Sequence, residues 1–98
     1  MEKGGYTYIL TNKAHGTLYI GVTADLIRRI HQHREEDGSI FTKRHRLTKL
    51  VWFQEHASIE NAIDNEKQLK RWRRDWKINL IERTNPNWSD LYPNITSP

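Results

Sequence analysis

Two short segments near the start of the chain constrain its fold most, because together they have the pattern of a β-hairpin. Residues 6–11 (YTYILT) and 17–22 (TLYIGV) are rich in β-branched and aromatic residues, and the stretch between them is turn-prone. Strand side chains alternate between faces, and directly paired residues share a face. Tyr8 and Tyr19 therefore share a face if paired positions sum to an odd number, whereas an even sum pairs Tyr8 with a sequence neighbour of Tyr19. The pattern leaves both registers open.

The segments after the hairpin predict a small α+β domain. Periodicity and turn signals give the remaining elements in this order: a helix to about 36, a strand over 48–54, a helix over about 59–72 and a further helix to 83. Either Thr23 or Asp25 can cap the first helix, and Ser58 caps the second. The last helix is either continuous with the one before it or broken near Arg74.

Length and composition limit the classes of protein that this chain can be. It makes a single domain over 1–98, with a core over about 5–92 and a polar tail at 93–98. Residues 89–98 are polar and contain proline, so this segment is expected to be loosely ordered. The absence of cysteine excludes disulfides and thiolate metal sites and fits the reducing cytoplasm. No apolar run is long enough for a membrane span or a signal peptide, so we expect a cytoplasmic domain with no membrane partner. The net charge of +4 is compatible with an anionic partner, although many proteins with such an excess bind none.

The first predicted helix carries two polar groups along the edge of its apolar stripe. Arg29 and His33 are four residues apart and lie on one face, while Arg28 points toward water. The buried stripe is predicted to be Leu26, Ile27 and Ile30. An arginine beside a histidine and two tyrosines can hold a phosphate and offset charge in a transition state. The alternative is an ordinary amphipathic helix on which the arginine stem covers the core edge.

Glu66 is a carboxylate on the apolar face of the second long helix. The apolar residues of that face are Ile59, Ala62, Ile63 and Leu69. A carboxylate there is costly unless it is paired or bound to a cation. A pair with Lys70, four residues on, is the simplest alternative, although Lys70 is predicted to lie on the same inward face. A single carboxylate with water and phosphate oxygens is also how Mg²⁺ is often held. His31 and His33 point about 200° apart on a helix and do not form a zinc site.

Basic residues in two segments predict a nucleic-acid-binding footprint. Residues 67–74 interleave cations with a tryptophan, and residues 43–46 add a second basic cluster. We expect recognition of backbone or shape, because no helix has the polar spread needed for base readout. The tryptophans Trp72, Trp76 and Trp88 are interpreted as core anchors rather than base-stacking platforms. The candidate phosphate- or nucleic-acid-binding residues are Lys43, Arg44, His45, Lys70, Arg73, Arg74 and Asn87.

With these residues assembled, the chain resembles the GIY-YIG nuclease superfamily, especially its small single-domain bacterial members. The segment Tyr6-Thr7-Tyr8 stands at the first signature and keeps only its tyrosine, whereas Tyr19-Ile20-Gly21 matches the second signature fully. Residues 21–33 match the family helix, which carries its arginine at Arg29 and its histidine at His33. The last two matches are Glu66 at the metal-binding glutamate and Asn87 at the asparagine of the closing motif.

The resemblance implies a three-stranded antiparallel sheet flanked by helices and single-metal hydrolysis of phosphodiester bonds, in DNA rather than RNA. It implies that Tyr8 acts as general base and that Tyr19 positions the water or the phosphate. Arg29 stabilises the transition state, and His33 hydrogen-bonds to the phosphate or to Tyr8. The implied cofactor is Mg²⁺ or Mn²⁺, held by Glu66. The assignment of the base to Tyr8 rather than Tyr19 is inherited from the family.

Departures from the family pattern leave alternatives open. No lysine follows the Tyr-Ile-Gly segment, and His45 is the only candidate for the histidine that some nucleases use beyond the first helix. Ninety-eight residues leave no space for a DNA-targeting module, so we expect a homodimer, an accessory protein partner or a structured substrate such as a branch. The alternative functions are a nucleic-acid-binding module without turnover and a protein-docking domain.

Overall fold

The computed structural model describes residues 4–35 and 46–97, which form a three-stranded antiparallel sheet with flanking helices. Its elements in chain order are β1 (Gly5–Thr11), β2 (Leu18–Thr23), α1 (Leu26–Glu35), β3 (Lys49–His56), α2 (Ile59–Arg71), α3 (Arg74–Thr84) and α4 (Tyr92–Thr96). The strand order in the sheet is β2-β1-β3, with β1 in the centre. The predicted α+β fold is confirmed. Within this described part, no helix combines the length and apolar character needed to cross a membrane.

The register of the hairpin places both tyrosines on one face of the sheet. Tyr8 pairs with Gly21, and Leu10 pairs with Tyr19, so paired positions sum to an odd number. The hairpin turn is closed by the side chain of Asn12, whose Oδ1 accepts a hydrogen bond from the backbone N–H of Thr17 at 3.0 Å. Of the two registers that the sequence allows, the structure has the one that brings the tyrosines together.

The two faces of the sheet carry separate apolar clusters. One cluster contains the buried side chains Tyr8, Leu10, Leu26, Ile30, Leu47 and Leu50, with α4 packed against it. The other contains Ile9, Ile20, Val51, Trp52, Leu69, Ile81 and Trp88. Since α1 belongs to the first cluster and α2 and α3 to the second, the sheet is covered on both sides.

Asp25 caps helix α1. Its Oδ1 accepts a hydrogen bond from the backbone N–H of Arg28 at 3.2 Å. Thr23 Oγ1 accepts a hydrogen bond from the backbone N–H of Asp25 at 3.1 Å and so fixes the turn before the helix. Of the two predicted capping residues, Asp25 is therefore the cap. The predicted burial of Ile27 is wrong, because 47% of this residue is exposed. The buried stripe is narrower than predicted and consists of Leu26, Ile30 and His33.

The second and third helices are separate elements. The side chain of Ser58 caps α2 as predicted, accepting a hydrogen bond from the backbone N–H of Asn61 at 3.1 Å. Trp72 and Arg73 have extended backbone conformations, so α2 ends at Arg71 and α3 starts two residues after Trp72. The alternative of a break near Arg74 is therefore the correct one.

The predicted loose tail is wrong as far as Thr96, because Asp90 fixes this segment to the sheet and to α1. Its Oδ2 forms an ion pair with Arg34 at 2.6 Å. Its Oδ1 accepts hydrogen bonds from the backbone N–H groups of Leu50 at 3.2 Å and Tyr92 at 3.0 Å. Helix α4 follows directly and packs on the Tyr8 side of the sheet.

Candidate active site

Tyr8 is the centre of the candidate site and is 1% exposed. Its phenol oxygen lies 3.0 Å from Nε2 of His33, which α1 presents from its buried stripe. The ring also lies across its strand partner Gly21: a Cβ added there would fall on the phenol atoms, closer than van der Waals contact allows. A glycine at position 21 therefore makes room for the tyrosine. The role of Gly21 was missed in the sequence. A register that pairs Tyr8 with Gly21 would have indicated that a small residue is needed at position 21.

His33 is a neutral partner of the phenol. Burial, together with the nearby positive charge of Arg29, lowers its pKa to about 4. At neutral pH the ring therefore carries one proton. With that proton on Nδ1, Nε2 accepts the hydrogen bond that the Tyr8 hydroxyl donates.

Burial has the opposite effect on Tyr8, whose pKa it raises to about 12. A hydrogen bond from Arg29 lowers this pKa, while the proximity of Tyr19 and Glu66 raises it. At pH 7, a pKa of about 12 leaves roughly one phenol in 10⁵ ionised. The phenol is therefore protonated in the free protein, and positive charge is required before it can act as a base.

Arg29 supplies part of that positive charge. Its guanidinium is partly buried and donates a hydrogen bond to Oε1 of Gln32 at 3.4 Å. It also lies close to both phenols, and the interaction with Tyr8 is the main reason why the pKa of Arg29 is raised. The Tyr8 and Tyr19 rings are 6.4 Å apart between centroids, and the Tyr19 ring is 5.6 Å from that of His33. Arg28, by contrast, is exposed. The four residues that the sequence analysis placed on two strands and a helix therefore come together.

Glu66 faces the same cluster from α2. Its side chain is 16% exposed, and its charge contributes to the raised pKa of Tyr8. Oε2 forms an ion pair with Lys70 Nζ at 3.4 Å, which is the local pair that the sequence analysis considered. The expectation that Lys70 lies on an inward face is wrong, because its side chain is 55% exposed. A long, flexible side chain at this position reaches the rim of the site.

The oxygen donors around Glu66 fit a hard divalent cation. Over residues 4–35 and 46–97, the structure holds no group of three or more His, Cys, Asp or Glu side chains that could bind a metal together. A zinc site with several protein ligands is therefore not present in this part of the chain. A single carboxylate beside phenol oxygens fits Mg²⁺ or Mn²⁺, because Mg²⁺ usually keeps several water ligands.

A groove runs from the site along the outer edge of β2. It has a volume of about 290 Å³ and is lined by Leu18, Tyr19, Ile20, Lys70 and Lys77. Two lysines beside one of the tyrosines give this edge the charge needed to follow a phosphate backbone. Lys77 was missed in the sequence, since it lies beyond the basic run at 67–74 and only the break before α3 turns it toward β2.

The other predicted binding residues have different surroundings. Arg74 donates hydrogen bonds to the backbone carbonyls of His15 and Gly16, both at 2.6 Å, and so joins α3 to the hairpin turn. Asn87 is exposed in the turn after α3, and the buried asparagine of that turn is Asn85. The side chain of Asn85 donates to the carbonyl of Val51 at 3.0 Å. Lys43, Arg44 and His45 lie outside the described residues.

The three tryptophans do not share one role. Trp88 is buried in the cluster around Ile9, and its indole N–H donates to Glu82 at 2.8 Å. Trp72 packs against the same cluster. Trp76 is 46% exposed, so its interpretation as a core anchor is wrong. It lies in the first turn of α3.

Comparison with known proteins identifies the class to which this fold and cluster belong. The family model described as the GIY-YIG catalytic domain matches residues 4–79. The matched span contains the hairpin, α1 and Glu66 but ends before Asn87. The chain therefore belongs to the GIY-YIG family, which places it in a nuclease superfamily and implies a nucleic-acid substrate.

Within bacteria, the chain is similar to small proteins that carry the name UPF0213. One from Pediococcus pentosaceus is 32% identical over 88 residues, which cover 90% of this chain and 92% of that protein. One from Streptococcus pneumoniae is 36% identical over 81 residues, covering 83% and 81% respectively. A third, from Aeromonas salmonicida, is 29% identical over 97 residues, covering 97% of this chain and 71% of the relative. No solved structure matches the chain significantly.

Proposed function

We propose that this protein is a metal-dependent endonuclease that hydrolyses phosphodiester bonds of DNA and selects structured substrates. The observation that carries the proposal is the contact of the buried Tyr8 phenol with a neutral imidazole and a guanidinium. Such a buried polar network costs stability unless every member is satisfied, and perturbed pKa values of this kind cluster at functional sites.

Each residue of the cluster has a distinct proposed role. Tyr8 is the general base: its hydroxyl first loses its own proton to bulk water, and the phenolate then accepts a proton from the attacking water. The positive charge of Arg29 favours the phenolate that this step requires. His33 holds the phenol oxygen in place through Nε2 and is a positioning residue. Arg29 also offsets the charge that develops on the phosphate. Tyr19 orients the water or the phosphate. Glu66 would hold a single Mg²⁺ or Mn²⁺ ion, which would supply positive charge to offset that of the leaving group.

The groove along β2 supports a substrate contacted through its backbone. Lys70 and Lys77 line it together with Tyr19, so a strand whose phosphate lies at Tyr19 passes both lysines. Contacts of this kind carry no sequence information. This arrangement supports selection by the shape of the DNA, such as a branch or a junction with a single strand, rather than by its sequence.

A second candidate function is a nucleic-acid-binding module of the same fold without turnover. Two observations favour it: the Tyr8 phenol is almost entirely protonated at neutral pH, and Lys70 already neutralises Glu66. Binding of a divalent cation at Glu66 would reverse both effects, because it displaces the lysine and adds positive charge near the phenol.

One experiment separates these candidates. The wild type and Glu66→Ala are incubated with duplex, branched and single-stranded DNA, each with Mg²⁺ and with a chelator. Cleavage by the wild type that is lost in the variant and in the chelator supports the endonuclease. Binding without cleavage of every substrate supports the module, and no binding at low salt rejects both in favour of a protein-docking domain.

A further inference from the structure

We propose that a pocket on α3, bounded by Trp72 and Trp76, binds an unpaired nucleobase of single-stranded DNA. The proposal rests on the proposed nuclease function, in that it assumes DNA as the ligand, and it names the part of the substrate that lies beyond the cleavage site. The pocket has a volume of about 200 Å³ and is lined by Trp72, Trp76, Asn79 and Arg83.

The two tryptophans form a fixed aromatic corner. Trp72 packs against the core cluster around Ile9, which anchors its ring. Trp76 meets it edge-on, with ring centroids 6.0 Å apart and planes at 82°. Nearly half of Trp76 is nevertheless exposed to solvent. An indole held in place by a buried neighbour and left open to water offers a planar surface for stacking at little entropic cost.

Polar and cationic groups complete the pocket. Asn79 and Arg83 lie three and seven residues after Trp76, which places all three on one face of α3. The Asn79 amide can both donate and accept hydrogen bonds, as the edge of a nucleobase requires. Arg83 supplies a cation, and the guanidinium of Arg73 stacks on the Trp76 ring at 4.7 Å from its centroid. The pocket thus combines stacking, hydrogen bonding and positive charge.

These features select a single strand over a duplex. In a duplex, the faces and the pairing edges of the bases are already occupied, so a ring pocket on the protein surface cannot reach them. An apolar protein segment is a poorer match, because two arginines and an asparagine surround the indoles. The unpaired base satisfies both the aromatic and the polar part of the pocket.

The position of the pocket connects it to the candidate active site. Lys77, which lines the groove beside Tyr19, follows Trp76 directly in α3. The groove and the pocket thus both include residues of α3, so a strand that leaves the groove at Lys77 lies on the helix that carries the pocket. This arrangement predicts substrates in which the cleaved phosphate is followed by unpaired nucleotides.

The test measures DNA binding in a chelator, where cleavage does not interfere. Fluorescence anisotropy compares a labelled oligothymidine with a blunt duplex of equal length. Trp76→Ala is expected to weaken binding of the single strand about 5- to 100-fold while changing duplex binding less than about 3-fold. Trp76→Phe should restore part of the loss, because it keeps an aromatic face.

Ile27→Ala is the matched control, since it removes an apolar side chain of equal exposure on α1, and it should bind both DNAs as the wild type does. Thermal unfolding verifies that each variant is folded. Equal losses on both DNAs, or no loss on the single strand, overturn the pocket but leave the nuclease proposal intact if the wild type still cleaves. Failure of the wild type to bind any DNA overturns both.

Discussion

At the scale of single residues, the central feature is the contact between the Tyr8 phenol and the His33 imidazole. Burial shifts the pKa values of these two groups in opposite directions, and both shifts favour the uncharged form. The pKa of Tyr8 is raised to about 12 and that of His33 is lowered to about 4, so their hydrogen bond joins two uncharged groups at neutral pH. Arg29 is the fixed positive charge beside them. Tyr8 therefore stays protonated, and cannot act as a base, until a cation or a substrate changes the electrostatic potential at its hydroxyl.

Arg29 and Arg28 provide a direct test of that charge. Arg29→Ala removes the guanidinium that contacts both phenols, and we expect cleavage to fall about 100- to 1,000-fold. Arg28→Ala removes an exposed charge one residue away and should change the rate less than about 3-fold. Single-turnover cleavage measures both. Equal losses would mean that general attraction of the DNA, and not the face of α1, determines the rate.

The lowered pKa of His33 predicts how the free energy of unfolding depends on pH. Its folded pKa of about 4 lies below the ordinary value of 6.5, so the unfolded chain binds the proton more readily. Stability is therefore fully present above pH 6.5 and is lost as the pH falls toward 4. We expect this group to account for on the order of 2 kcal/mol, less than the full shift implies, because screening by solvent reduces it.

Urea unfolding at several pH values measures this dependence. His33→Gln should flatten the decline between pH 6.5 and 4, whereas His31→Gln, on the exposed side of α1, should leave it unchanged. The assignment fails if the wild type and His33→Gln lose stability in parallel over this range.

At the scale of elements, two glycines allow close approaches that position the site. Gly21 leaves space for the Tyr8 ring on β2. At Gly5, an added Cβ would lie 2.9 Å from Cα of Ile59 and 3.0 Å from Cβ of Ala62, so β1 and α2 are in direct backbone contact there. Because α2 carries Glu66, this contact sets how near the carboxylate comes to the tyrosines.

Gly21→Ala tests the packing of the tyrosine across β2. The methyl group would force the phenol away from His33, and we expect a loss of about 1–3 kcal/mol in stability and at least a tenfold loss of cleavage. Urea unfolding and single-turnover cleavage measure the two effects. Val22→Ala is a control on the same strand but on its other face, and it should retain cleavage. Unchanged activity in Gly21→Ala would show that the ring position is not critical.

At the scale of the whole molecule, the two faces of the sheet pack against different helices and bury different kinds of side chain. The face that carries Tyr8 packs against α1 and α4 and buries the polar cluster, while the opposite face packs against α2 and α3 and contains the buried tryptophans Trp52 and Trp88. The candidate site lies at the β2 edge, where the two halves meet. Both proposed DNA contacts, the groove and the tryptophan pocket, extend from this edge along α3.

Much of the site was predictable because it depends on periodicity. Helical spacing put Arg29 with His33. Strand parity allowed Tyr8 and Tyr19 to share a face but left two registers open, and the structure has the register that brings them together. The burial of these groups was not predictable, since it depends on the pairing of Tyr8 with Gly21 and on the packing of α1.

The sequence predicted poorly wherever burial depends on partners distant along the chain. Ile27 and Trp76 are apolar residues at helical spacing, but within the described residues nearly half of each stays exposed. The order of α4 depends on Asp90, whose partners Arg34 and Leu50 lie 56 and 40 residues away. Local composition carries no information about such contacts, so the tail was interpreted as loose.

The most direct test of the central claim is the single-turnover cleavage of branched DNA by Tyr8→Phe. The substitution keeps the ring over Gly21 and removes only the oxygen that contacts His33 and Arg29. We predict a loss of at least about 100-fold in the rate with Mg²⁺, while DNA binding measured in a chelator stays within about 3-fold of the wild type. A cleavage rate equal to that of the wild type would contradict the role of Tyr8 as the general base.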